Sequence, residues 1–85
     1  MIDLIIEQKR IPQLLETKLM CPEEEYWVID LTSNQISYNP NDIKKMLLKE
    51  KVSYLDSDYT IIGIEFFSRV REKVVLIVKR EDCVN

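Results

Sequence analysis

The stretch Lys73-Val74-Val75-Leu76-Ile77-Val78-Lys79-Arg80 decides how this chain folds. Its run of β-branched residues suits a pleated strand better than a helix. Alternation along such a strand sends Val74, Leu76 and Val78 to one face and Val75 and Ile77 to the other. Strands that are apolar on both faces are normally covered on both sides. Two helices can shield one face and only part of the second. The N-terminal segment, a twin subunit or another protein is therefore expected to close the remainder.

Moving backwards, Tyr59 to Phe67 reads as a partner strand, with Thr60, Ile62, Ile64 and Phe66 on one side. The charged turn Ser68-Arg69-Val70-Arg71-Glu72 joins the two strands, and Ser53 to Asp58 reads as a loop before them. Ahead of that loop the signals are helical. Asn39 can cap, Pro40 fits the first turn, and Asp42 sits where the helix dipole favours a negative charge. Ile43, Met46 and Leu47 share one helical face, and Lys44, Lys45, Lys49 and Lys51 are left for water or a partner.

Tyr26-Trp27-Val28-Ile29-Asp30-Leu31 is dense in β-formers, with Trp27, Ile29 and Leu31 on one face. Thr32 to Gln35 supplies turn chemistry, and Ile36-Ser37-Tyr38 is expected to return as a short antiparallel strand. Cys21 to Glu25 reads as a connection. Pro12 opens a helix running to about Met20. Residues 2–9 read as a further short helix, in preference to a strand built on Ile2, Leu4 and Ile6.

The expected fold is therefore α+β. It has a small, four-stranded, mostly antiparallel sheet with an N-terminal helix and a central helix, in the order α-β-β-α-β-β. A β-grasp arrangement suits the hairpin–helix–hairpin core. No linker or repeat divides the chain, so residues 1–85 are expected to form a single domain.

Composition narrows the function classes. The 46% hydrophobic content is far above that of disordered segments. No apolar run approaches the roughly 18 residues that span a bilayer. Residues 1–20 lack the pattern of a secretory signal, so a cytoplasmic protein with Cys21 and Cys83 as free thiols is expected, and no membrane partner. The formal charge of −3 argues against a chain dedicated to a phosphate backbone. Eleven isoleucines and no alanine point to an AT-rich coding bias, a composition that suits a phage or other mobile element.

Chemistry is constrained by what is missing. The chain has no histidine, which removes the commonest general base and the commonest metal ligand. Its single glycine, Gly63, cannot build a phosphate-binding loop, and its two cysteines are too far apart in sequence for a Cys-x-x-Cys pair. No cofactor, metal or catalytic residue is expected. The one acidic constellation with nuclease-like potential is Asp56, Asp58 and Glu65, and a solvated turn explains Asp56 and Asp58 more simply.

The expected function is therefore a non-catalytic protein-protein interaction module. It would be a small regulator or inhibitor that occupies the surface of a larger target, or a homodimer. Candidate contact residues are the aromatics Tyr26, Tyr38 and Tyr59, one of which is expected to be exposed, and the acidic run Glu23, Glu24 and Glu25. Trp27 and Tyr54 are further aromatic candidates. The alternative is a nucleic-acid-binding regulator that uses Lys44, Lys45 and Lys49 with Arg69, Arg71 and Lys73. A metal-dependent hydrolase is the remotest alternative.

Overall fold

The computed structural model describes residues 3–9, 23–66 and 72–81. The described elements are β1 (Ile6–Gln8), β2 (Glu24–Asp30), α1 (Pro40–Leu47), β3 (Lys51–Tyr54), β4 (Ser57–Phe66) and β5 (Lys73–Arg80). All five strands join one antiparallel sheet in the order β1-β2-β5-β4-β3. The sheet curls into a half-barrel, with α1 as the one helix among the described residues. This overturns the expected four-stranded sheet with two helices.

The doubly apolar stretch Lys73–Arg80 is the central strand, β5, with β2 and β4 on its flanks. Val74, Leu76 and Val78 join Trp27, Ile29, Leu31, Ile43, Leu47, Val52, Tyr59 and Ile61 in the main core. On the opposite face Val75 packs with Tyr26 and Val28, and Ile77 is partly buried against them. Val75 is 0% exposed within the single chain. This face is thus shielded at Val75 within the single chain, as it would be if the chain itself closes the remainder, and Ile77 stays partly exposed.

Local corrections explain the change of architecture. Residues 6–8 form a strand against Ile29 and Val28 instead of a helix. Asn34 anchors the approach to it, because its amide oxygen accepts from Ile5 N at 2.7 Å and its amide nitrogen donates to Ile5 O at 3.1 Å. A side chain thus supplies the hydrogen bonds that a neighbouring strand would give. The helix expected from Pro12 to about Met20 lies outside the described residues.

The expected return strand at Ile36–Tyr38 does not form, and the chain leaves β2 through a single helical turn at Leu31–Gln35. Asp30 Oδ1 accepts from Ser33 N at 2.9 Å and starts the turn. Gln35, at φ 56°, ends it; Ile36 N donates to Leu31 O at 2.9 Å and Gln35 N to Thr32 O at 3.1 Å. These two bonds are the Schellman closure, and the apolar pair that usually accompanies it is Leu31 with Ile36, both in the core. Ile36 is spent on the core and cannot extend a hairpin.

The helix begins as expected, with Asn39 Oδ1 accepting from Asn41 N at 2.9 Å and Pro40 in the first turn. It ends at Leu47, before Lys49 and Lys51 are reached. Leu48 is extended and Lys49 is left-handed at φ 69°, after which Lys49 N donates to Ile61 O at 2.8 Å. Only Ile43 and Leu47 are buried, and Met46 is exposed, so the packed stripe is narrower than expected.

The supposed loop at Ser53–Asp58 is a tight hairpin, with Tyr54 paired to Ser57 across a two-residue turn. Within β4, the register against β5 slips at Ile62, since Ile61 pairs with Val78 while Gly63 pairs with Ile77. This bulge exchanges the faces of the strand. Tyr59 and Ile61 face the core before it and Ile64 after it, whereas plain alternation had grouped Ile62 with Ile64. Gly63 suits the slip, because a Cβ there would meet Ile77 Cδ1 at 3.1 Å.

Leu76→Ala should lower stability in urea denaturation by about 2–5 kcal/mol, the usual cost of truncating a fully buried leucine. Ile62→Ser, at the exposed bulge, should change it by less than ~0.5 kcal/mol. Equal losses at the two positions would contradict the bulged register.

Candidate functional site

The residues proposed from sequence are scattered by the fold. Tyr26 and Tyr59 are buried, whereas Tyr38 is 55% exposed and its hydroxyl shares a 2.6 Å hydrogen bond with Thr32 Oγ1. Glu24 and Glu25 open β2 instead of forming a loop, and Glu23 O accepts from Arg80 N at 3.0 Å. Lys44, Lys45 and Lys49 are exposed in and just after α1. Arg69 and Arg71 lie outside the described residues, as do Cys21 and Cys83. Lys73 hydrogen-bonds to Glu7, an interaction that raises its pKa, and Asp30 and Glu72 add to the effect. A lysine set among three carboxylates is poorly placed to attract a phosphate.

The acidic trio also disperses. Asp56 lies in the β3–β4 turn, and Asp58 and Glu65 are seven residues apart on β4. At the usual rise of a strand their α-carbons are about 23 Å apart, far beyond the reach of one cation. Among the described residues no group of three or more acidic or cysteine side chains is arranged to hold a metal. Nor, among these residues, is any helix long and apolar enough to cross a membrane.

Three features remain. The first is the tip of the β3–β4 hairpin. Leu55 and Asp56 occupy its two central positions with φ of 47° and 67°. A two-residue turn with both φ values positive normally takes Asn-Gly, because a Cβ is disfavoured there. Leucine breaks that rule, and its side chain is 75% exposed. Neither local conformation nor packing accounts for a leucine at this point.

The second feature is a cluster at one end of the half-barrel. The Trp27 ring lies 4.6 Å from that of Tyr59, edge to face, and 5.5 Å from that of Tyr54. Trp27 Nε1 donates to Glu25 Oε2 at 3.0 Å. Lys9, just after β1, places its ammonium 4.5 Å from the centre of the Tyr54 ring and 3.8 Å from Glu25 Oε2. These aromatics and Glu25 are candidates on residue type alone, but nothing in their spacing connects them with Lys9.

The third feature is Tyr26, whose hydroxyl is buried with no hydrogen-bond partner. Burial raises its pKa, and the negative charges of Glu24 and Glu65 raise it further. Comparison of the chain with protein-family models, curated proteins and solved structures gives no match.

The orphaned hydroxyl makes a signed prediction. Tyr26→Phe removes an unpaired buried polar group and should leave stability at pH 8 unchanged or raise it by about 1–3 kcal/mol. The folded-state pKa of Tyr26 lies above its unfolded value of 10.0. Its contribution is therefore fully present below pH 10 and is lost as pH rises through the folded pKa. Urea midpoints measured across that window should fall more steeply for the wild type than for Tyr26→Phe. A marked loss of stability on substitution at pH 8 would show that the hydroxyl is bonded after all.

Proposed function

We propose that this protein is a non-catalytic interaction module, a small regulator that works by occupying the surface of a larger protein target. The observation that carries this reading is the hairpin tip. Residues that violate local conformational preference are characteristic of functional positions, where the strain is retained for another purpose. Leu55 combines a disfavoured backbone with an aliphatic side chain held in water, at the tip of the β3–β4 hairpin. Such a side chain is suited to enter an apolar pocket on a partner. The absence of histidine from the whole chain supports a non-enzymatic role. The same reading places the protein in the cytoplasm, with its two cysteines as thiols.

The tip offers a test that separates binding from folding. Replacing Leu55-Asp56 with Asn-Gly supplies the residues that the turn prefers and should raise stability by about 1–2 kcal/mol in urea denaturation. The same variant should lose, by about tenfold or more, a partner that the wild type captures from lysate of its source cells. Equal capture by both proteins would overturn the reading. So would salt-sensitive retention on immobilised DNA or RNA that Lys44→Glu abolishes, since that result would favour nucleic acid as the target.

A further inference from the structure

The aromatic end of the half-barrel has the composition of a cation-recognition site, and its occupant is part of the chain. Lys9 Nζ lies over the Tyr54 ring at 4.5 Å and 6.0 Å from the centre of the Tyr59 ring. Ring faces attract a cation through their quadrupole within about 6 Å, and groups of such rings select methylated ammonium ions, which are weakly hydrated. Glu25 supplies the complementary charge. Its carboxylate is oriented by the Trp27 indole at 3.0 Å and faces the ammonium at 3.8 Å.

The rings are preorganised by the sheet. Trp27 is fully buried on β2, Tyr59 is almost so on β4, and the half-buried Tyr54 forms the rim on the edge strand β3. Lys9 itself is solvent-exposed. Its side chain is 35% exposed, its ion pair is long, and β1 spans three residues whose pairing with β2 is irregular. A lysine ammonium is also more strongly hydrated than a methylated one, so it is the weaker ligand for an aromatic surface.

We infer that Tyr54, Tyr59 and Glu25, with the buried Trp27 packed behind the rings and orienting Glu25, form a binding site for a methylated or quaternary ammonium group, and that Lys9 fills this site as a displaceable internal ligand. The site adjoins the Leu55 tip, since Tyr54 directly precedes Leu55 in the β3–β4 hairpin, but it does not depend on the role proposed for that tip. The ligand chemistry is common to a trimethylated lysine side chain on a protein and to a free choline-like cation.

Trp27 is the only tryptophan in the chain, so its fluorescence reports on the site directly. The full-length wild type and Lys9→Ala are titrated with tetramethylammonium chloride, and with a short trimethyllysine peptide, against sodium chloride at matched ionic strength. A saturable change in Trp27 emission is expected with both methylated cations and not with sodium. Binding should be about two- to fivefold tighter in Lys9→Ala, because the internal competitor is gone.

Glu25→Gln should weaken binding, and Tyr54→Leu should abolish it while far-ultraviolet circular dichroism stays unchanged. Tighter binding of the peptide than of tetramethylammonium identifies a protein-borne ligand, and equal binding identifies a free cation; either result supports the site. No saturable response in Lys9→Ala overturns the inference. So does a response that persists unaltered in both Glu25→Gln and Tyr54→Leu.

Discussion

Val75 and Leu76 point to opposite faces of β5, and both are withdrawn from water. A strand with this demand cannot lie at the edge of a small sheet, where one side would lack a neighbouring strand and the faces would be hard to cover. It must have strands on both flanks and apolar cover above and below. The order β1-β2-β5-β4-β3 meets the first requirement, since β2 and β4 hold β5 along its length. The curl of the sheet helps to meet the second, because it gathers Trp27, Tyr59, Ile61 and Ile64 around the face that α1 closes with Ile43 and Leu47.

The remaining elements follow from fitting a short chain around that strand. The bulge at Ile62 lets β4 keep Tyr59, Ile61 and then Ile64 on the core side as the sheet bends. The left-handed residues Gln35 and Lys49 stop a helical turn and a helix so that Ile36 and Val52 reach the core. At the open end, Lys9 reaches from beside β1 to Tyr54 on β3, so the two edge strands of the curled sheet are brought near each other. The Lys73–Glu7 ion pair ties β1 to the central strand by charge.

Much of this was legible in the sequence, and the failures have physical causes. The β5 stretch, the Trp27–Ile29–Leu31 face and the capped start of α1 were readable because each is encoded within a few residues. The fifth strand was not, because Ile6–Gln8 is held by the side chain of Asn34 and by a strand more than twenty residues away. The β3–β4 hairpin was hidden because Leu55-Asp56 lacks the residues that announce such a turn. The bulge was invisible to strict alternation. At the candidate sites, the aromatics were visible as residue types, whereas their union with Lys9 is a product of the curl.

Most of the apolar area of the central strand is buried within the chain, and the features that local stability does not explain lie elsewhere, at the Leu55 tip and in the aromatic cluster around Lys9. The claim beneath this account is that one chain suffices to bury both sides of β5. Native-state amide hydrogen exchange on dilute protein tests it most directly. The account predicts that the amides of Val74 to Val78 exchange only through global unfolding, at rates independent of protein concentration. Rapid exchange at low concentration that slows as the protein associates would show that a second chain is required, and would contradict it.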